Sequence, residues 1–372
     1  MPTSTEQLNS YLWAAVDKLR TQVGLPEAVE SLTVLIYLRL LSIKSDPGEF
    51  NPVDPPVKSR ETIVIPPEFR WQEICNSLKP CESIFHAIEV ISKLNDGLFD
   101  YFAHNIRMKQ LLGNQEICLQ LVNIVSNLNL QESGEYDLSQ IADFLTSTFS
   151  ESLGVRGGEF YTPRDITNLI VELANPQPDD SIYDPACGTG GFLLAAYDYA
   201  RRISDSDRIP SILGCDINSQ TANMARINAV LHGLPPGSIK SGNSLFDLFP
   251  DGEQTYFDIV ITNPPIGLRH DELTLDRLKD SSGSNFIYGP PTRISDFNFI
   301  QHALSRLTNK GKAVILTSLR PLFISGQEAE IRRRLVTSDI IEAVITLPSN
   351  ILPHTGAQSA VLLFNKAKPP RK

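Results

Sequence analysis

Apolar side chains in the first 150 residues recur three and four positions apart. Over residues 7–23, Leu8, Leu12, Ala15, Val16 and Leu19 form one stripe, which predicts an amphipathic helix. Pro26 suits the opening turn of a second helix through Leu32, Leu35, Ile36 and Leu40. Pro47, Pro52, Pro55, Pro56, Pro66 and Pro67 allow neither helix to continue. Periodic segments resume over residues 84–94, 116–128 and 138–149, so residues 1–150 read as an all-helical N-terminal domain. After Gly154 the period changes. Strands are predicted at residues 181–183, 211–214, 257–262, 313–317, 340–346 and 359–364, and helices at 165–174, 192–201, 219–232, 296–308 and 327–336. This alternation predicts an α/β fold with a doubly wound sheet over residues 151–372. Residues 269–295 are polar and aperiodic and read as a long loop.

A length of 372 residues suits two domains, and 41% hydrophobic with 20% charged residues excludes whole-chain disorder. The net charge of −10 argues against a protein that holds nucleic acid unaided. Residues 1–150 carry 11 Lys+Arg against 19 Asp+Glu, and the remainder 22 against 24. The near-neutral second part is therefore the better nucleic-acid contact, with another chain supplying basic surface. Cys75, Cys81, Cys118, Cys187 and Cys215 form no CxxC pair, which indicates neither a zinc site nor a disulfide scaffold. The histidines are scattered, and His302 reads as a packed or surface side chain. There is no secretory signal pattern, and the apolar run over residues 32–43 contains Arg39 and is too short for a bilayer. These features together predict a reduced, soluble, cytoplasmic protein with no membrane association.

Three elements carry candidate chemistry. Asp184-Pro185-Ala186-Cys187-Gly188-Thr189-Gly190-Gly191-Phe192 follows a strand and opens a helix, with glycines that let backbone amides approach a ligand. Leu194 falls near the third glycine position of a dinucleotide fingerprint, which disfavours a pyrophosphate. The motif is compatible with nucleoside binding or with an ordinary tight turn. Asp216 ends the next strand, where a carboxylate can accept from both hydroxyls of a ribose or cap the following helix. The strand over residues 257–262 runs into Asn263-Pro264-Pro265-Ile266. The prolines hold the Pro264 carbonyl rigid, and Asn263 offers a second acceptor. Two acceptors aimed at an exocyclic amine favour a pyramidal nitrogen whose lone pair can attack a methyl group in line. The alternative is a rigid turn after a strand.

Asp184 to Phe192, Asp216, Gly242-Asn243-Ser244-Leu245 and Asn263 to Ile266 resemble, in that order, the motifs of N6-adenine DNA methyltransferases. Glu159-Phe160-Tyr161-Thr162-Pro163-Arg164 looks like the cofactor-side motif of their γ-order subgroup, and the helical first domain resembles that of type I restriction–modification methylation subunits. The resemblance implies a Rossmann-like S-adenosylmethionine-dependent methyltransferase sheet. Glu159, Phe160, Tyr161, Thr162, Pro163 and Arg164 would line the cofactor pocket with Asp184, Ala186, Gly188, Thr189, Gly190 and Gly191. Asp216 with Ile217 would take the ribose, Asn243 and Ser244 would lie near the cofactor adenine, and Asn263, Pro264, Pro265 and Ile266 would grip the target amine. Double-stranded DNA, a DNA-specificity subunit and a restriction subunit are the implied partners.

The sequence departs from this family at three points. Ile266 stands where the family has an aromatic residue against the flipped base, for which Phe286, Tyr288 and Phe297 are candidate substitutes. Asn243 stands where Asp is frequent, and family members commonly continue into a helical tail beyond the position of Lys372. The alternatives are a silent cofactor-binding assembly subunit and a methyltransferase of another planar amide or amine. Arg332, Arg333 and Arg334 read as a solvated helix face, and Lys366, Lys368, Arg371 and Lys372 as a frayed terminus.

Overall fold

The computed structural model describes residues 5–45, 63–128, 162–203, 208–246, 256–280, 285–352, 356 and 358–369. The chain forms two compact units, one of residues 1–157 and 223–238, the other of residues 158–222 and 239–372. The helix expected over residues 138–149 and the boundary expected at residue 150 lie outside the described residues.

In the helical unit, α1 (Thr5–Val23) and α2 (Leu25–Ser45) meet at Gly24, whose φ of 90° suits the glycine that ends a helix. Helix α2 is the central one. It is buried from Ala28 to Ile43 on nearly every side except at Glu30 and Arg39, as a helix with so wide an apolar surface must be. The hydroxyls of Ser31, Thr33 and Ser42 donate to carbonyls three or four residues back, so no polar group of that face is left open. Around α2 pack α3 (Trp71–Asn76), α4 (Pro80–Leu94), α5 (Asp100–His104), α6 (Ile106–Gly113) and α7 (Gln115–Ser126). Helices α5 and α6 are too short to show periodicity. The breaks between α5, α6 and α7 are set by Asn105 and Asn114, whose side chains accept from the first-turn amides of α6 and α7. Met224, Ile227, Val230 and Leu231 complete this core, and Tyr37 Oη donates to Asn228 Oδ1 at 2.9 Å. A disulfide joins Cys81 on α4 to Cys118 on α7, which corrects the sequence reading of a reduced chain without such a bond. The two cysteines are 37 residues apart, and only the packing of α4 near α7 pairs them.

The second unit contains α8 (Arg164–Ala174), β1 (Ser181–Asp184), α9 (Gly191–Arg202), β2 (Ser211–Asp216) and the start of α10 (Ser219–Leu231). These are followed by β3 (Ile239–Ser241), β4 (Phe257–Thr262), α11 (Glu272–Asp280), α12 (Asp296–Ser305) and β5 (Leu307–Ser318). The unit ends with α13 (Arg320–Phe323), α14 (Gln327–Thr337), β6 (Ile341–Thr346) and β7 (Ser359–Asn365). The seven strands form one sheet in the order β3-β2-β1-β4-β5-β7-β6, and β7 alone runs antiparallel to its neighbours.

Two expectations need correction. Helix α12 stops at Ser305 and not at Thr308, because β5 begins at Leu307 and Gly311 brings it against β4, where a Cβ would stand 2.9 Å from the Phe257 carbonyl. The expected loop over residues 269–295 contains α11, capped by Asp271 and anchored by Leu278, which is buried with Leu245 and Phe299.

Helices α12 and α14 cover one face of the sheet, where Phe297, Ile300, Leu304, Ile331 and Leu335 pack against Tyr183, Phe257 and Ile315. His302 accepts its expected packed role. Its Nε2 lies 3.2 Å from Tyr183 Oη, and burial lowers its pKa to about 3. Arg333 and Arg334 pair with Glu330 on the exposed face, whereas Arg332 turns inward to the carbonyls of Pro321 and Ile324. Lys366 and Lys368 are not frayed, since they donate to the Leu307 carbonyl and to Asp339. No helix of the described residues is long and apolar enough to cross a membrane.

Candidate functional site

The order of the strands places the site. Connections run outward from β1 to β3 on one side and from β4 onward on the other, so a crevice opens at the carboxyl ends of β1 and β4. Parallel register brings Asp184 beside Gly214, and Asp216 beside Ser241. The carboxyl ends of four strands therefore carry the Asp184, Asp216, Gly242 and Asn263 motifs along one edge.

The turn after β1 is shaped by its glycines. Gly188 and Gly190 adopt φ of 55° and 93°, and a Cβ at Gly188 or Gly191 would meet nothing within 4 Å. Open space thus lies in front of the turn. Behind it the packing is close, because a Cβ at Gly214 would stand 2.7 Å from Leu193 and 2.9 Å from the Cys187 thiol. Gly214 is a residue that the motif search missed; its signal is a glycine inside a strand. Asp184 is buried and accepts from the Ala186 amide at 3.0 Å, and burial pushes its pKa up to about 7. Asp216 accepts from the Gly188 amide at 2.9 Å through one oxygen and from the Asn218 amide at 2.9 Å through the other. It therefore ties the turn to β2. The cap of α10 is Asn218, which accepts from Gln220 and Thr221, so the capping alternative for Asp216 is set aside. Ile217 is 70% exposed beside it, an uncovered apolar surface at the edge of the sheet. Asn243 accepts from the Leu245 amide at 3.1 Å, and Ser244 is buried.

Beyond β4 the chain turns at Asn263. Its Nδ2 donates to Thr162 Oγ1 at 2.9 Å, which fixes the rotation of the carboxamide. Its Oδ1 is buried and has no hydrogen-bond partner among the described residues. An open buried acceptor is costly in a fold, and a ligand donor at this strand end would satisfy it. Pro264 is buried and Ile266 half-buried. The Pro265 carbonyl accepts from Ser295 Oγ at 3.1 Å, and the Gly267 amide donates to Asp296 Oδ1 at 3.1 Å. Neither Ser295 nor Asp296 was legible as part of this corner, since both lie in the span read as loop or helix start.

Of the cofactor-side motif, Thr162 is half-buried against Asn263, Pro163 stands at the N-cap of α8 and Arg164 opens that helix. Glu159, Phe160 and Tyr161 lie outside the described residues. Thr189 and Gly190 sit within the turn itself. Of the aromatic substitutes for Ile266, Phe297 is buried in the core and Tyr288 packs against that core. Phe286 packs with Ala186, Leu245 and Phe246 on the glycine-turn side.

Residues 134–372 match the model of the N-6 DNA Methylase family, and residues 8–125 match that of the HsdM N-terminal domain. The type I restriction enzyme MjaVIII methylase subunit of Methanocaldococcus jannaschii is 27% identical, over 98% of this chain and 66% of its own. The MpnII methylase subunit of Mycoplasma pneumoniae is 29% identical, over 76% of this chain and 56% of its own. The chain thus spans between about half and two thirds of the length of these two curated relatives. In fold it resembles the type I restriction–modification methyltransferase subunit of Streptococcus thermophilus, with a TM-score of 0.77, 22% identity and coverage of 98% and 85% of the two chains. It also resembles a chain from a structure of type I restriction–modification complex assembly, with a TM-score of 0.69, 23% identity and coverage of 99% and 76%.

Proposed function

This chain belongs to the N-6 DNA methylase family, and on that premise we propose that it transfers a methyl group from S-adenosylmethionine to N6 of adenine in DNA, as the modification subunit of a type I restriction–modification system. The observation that carries the reading is the buried, unpartnered Asn263 Oδ1, held by Thr162 at the end of β4.

The residues present fit the cofactor. Space in front of Gly188 and Gly191 admits a ligand against the backbone. Asp216 is half-buried at the strand end, and a carboxylate there has the acceptor chemistry that ribose hydroxyls need. Ile217 offers an apolar face, Asn243 and Ser244 stand at the next strand end, and Thr162, Pro163 and Arg164 stand on the Asn263 side; Glu159, Phe160 and Tyr161 of the same motif would complete the pocket. Asp184 acts through the turn, by fixing the Ala186 amide. S-adenosylmethionine supplies an electrophilic methyl group on a sulfonium, which leaves as a neutral thioether.

Asn263 Oδ1 and the Pro264 carbonyl would accept the two N–H bonds of adenine N6. This localises the nitrogen lone pair for attack on the methyl carbon, and the surplus proton passes from nitrogen to water. The amine must first leave the helix stack, because a paired base hides it. An acidic chain does that poorly alone, which supports a separate specificity chain for sequence readout, and the likeness to type I restriction enzyme methylase subunits supports a restriction subunit in the same assembly. The substrate implies work in the cytoplasm.

The test is tritium transfer from labelled cofactor to duplex DNA, with and without the product of any specificity gene that neighbours this one. Asn263→Ala is expected to slow transfer about 100-fold or more, the effect of removing one preorganised hydrogen-bonding group, while cofactor binding stays intact. Undiminished transfer by that variant overturns the reading.

A further inference from the structure

The Asn263 corner is held from outside its own strand. Ser295 binds it twice, through Oγ to the Pro265 carbonyl at 3.1 Å and through its amide to the Leu268 carbonyl at 2.9 Å. The next residue, Asp296, accepts from the Gly267 amide through Oδ1 at 3.1 Å. Asp296 is 2% exposed, so its charge must be met inside the protein. Its Oδ2 lies 3.4 Å from Arg320 Nη1. Arg320 in turn makes a two-pronged pair with Glu328, with both contacts at 2.8 Å. Arg320 opens α13 directly after β5, and Glu328 lies in the first turn of α14. One buried carboxylate thus connects the turn after β4 to both helices that follow β5.

A network of this kind is weak evidence for stability, because apolar side chains of the same volume serve a core as well or better. What it does supply is a fixed direction. The Asp296 carboxylate meets one nitrogen of a guanidinium whose two prongs are held by Glu328, and it presents its other oxygen to one backbone amide. That amide lies three residues after Pro264 and four after Asn263. Their carbonyls must meet two hydrogens of one nitrogen, and a displacement of about 1 Å at a reacting site can cost about 100-fold in rate. Thr162 fixes the Asn263 side chain, but it does not reach the backbone beyond Pro264.

We propose that Asp296, oriented by the Arg320–Glu328 pair, is a positioning residue for methyl transfer: it sets the backbone turn that aims the Asn263 and Pro264 acceptors. The proposal rests on the methyl-transfer reading above.

The test uses the full chain in the presence of its specificity chain, with Asp296→Asn, Asp296→Ala, Arg320→Lys and Glu328→Gln. Asp296→Ala is expected to lower kcat 10- to 100-fold, with KM for cofactor and for DNA within about twofold of wild type. Asp296→Asn keeps an oxygen for the Gly267 amide and should recover part of that loss. Arg320→Lys and Glu328→Gln should fall between these two, since each loosens the carboxylate without removing it. A second readout needs no turnover: in Asp296→Ala, hydrogen exchange at the Gly267 amide should rise while the β4 amides keep their protection. Variants that keep the wild-type kcat overturn the proposal. So do variants whose loss of rate tracks loss of cofactor binding and melting temperature, which is what a merely structural network would give. If wild type transfers no methyl group, the methyl-transfer reading fails, and the exchange measurement still decides whether Asp296 holds the turn. Should Asp296→Ala not fold, the Arg320→Lys and Glu328→Gln rates decide.

Discussion

The hydroxyls of helix α2 and the polar groups at the strand ends of the sheet unit find their partners in opposite ways. In α2, Ser31, Thr33 and Ser42 bond to carbonyls one turn back, so each is satisfied within its own helix. At the strand ends, three of the bonds that shape the site come from far along the chain. Gly188 and Asp216 are 28 residues apart, Gly267 and Asp296 are 29, and Thr162 and Asn263 are 101. After all those bonds are made, Asn263 Oδ1 is still open. Local satisfaction costs a fold little and serves packing. Long-range bonds that converge on an unspent acceptor keep a group ready for something the chain does not itself contain.

Truncation in the closed unit separates the two behaviours most strongly. Leu35 is fully buried in α2, and Leu35→Ala is expected to lose about 2–5 kcal/mol of stability. Both tryptophans, Trp13 and Trp71, belong to the helical unit, so denaturant unfolding followed by their fluorescence reads that loss directly. An unchanged midpoint would mean that the α2 core does not hold this unit together.

Acids raised by burial sharpen the comparison, because each unit has one that is pushed up to about 7. Burial raises Asp184 in the sheet unit and Glu30 in the helical unit to about 7, the latter against a hydrogen bond from Asn105 that lowers it. Unfolded, these groups release their protons near their ordinary values of 3.8 and 4.5. Between those values and about 7 the folded chain holds the extra protons. The stability each contributes is therefore complete at acid pH and is lost as the pH rises through about 7. Asp184→Asn and Glu30→Gln should each flatten the fall in melting temperature between pH 5 and 8, measured by thermal scans across that range. A steeper fall in either variant contradicts the assignment.

The smallest effect is expected at Thr162. Thr162→Val removes the acceptor for Asn263 Nδ2 and should slow transfer by several-fold to tenfold, about 0.5–1.5 kcal/mol. Thr162→Ser should restore it, and a Val variant as fast as wild type would show that Asn263 needs no clasp.

Much of this was legible in the residues. The period of three and four announced α1, α2, α4 and α7, and the shift to short β-branched runs announced six of the seven strands. The seventh, β3, has three residues and leaves no pattern to read. The glycine turn, Asp216 and the Asn-Pro-Pro corner were visible as motifs because backbone freedom and backbone rigidity belong to glycine and proline themselves. The role of Asp216 was not. It could have been a cap or a ligand group, and only the fold shows Asn218 capping α10 and Asp216 accepting from Gly188. The aromatic substitutes for Ile266 were chosen by type alone, and packing takes Phe297 into the core.

Sequence by itself thus determined the periodic elements, their order and the chemical character of each strand end, because these follow from the torsional preferences and polarity of neighbouring residues. Tertiary structure alone decided which side chains meet: Cys81 with Cys118, Thr162 with Asn263, and Asp296 with Gly267 and Arg320. Separation along a chain carries no distance in space until crossovers and helix packing bring remote residues together, and at this site those encounters determine what the exposed motifs can do.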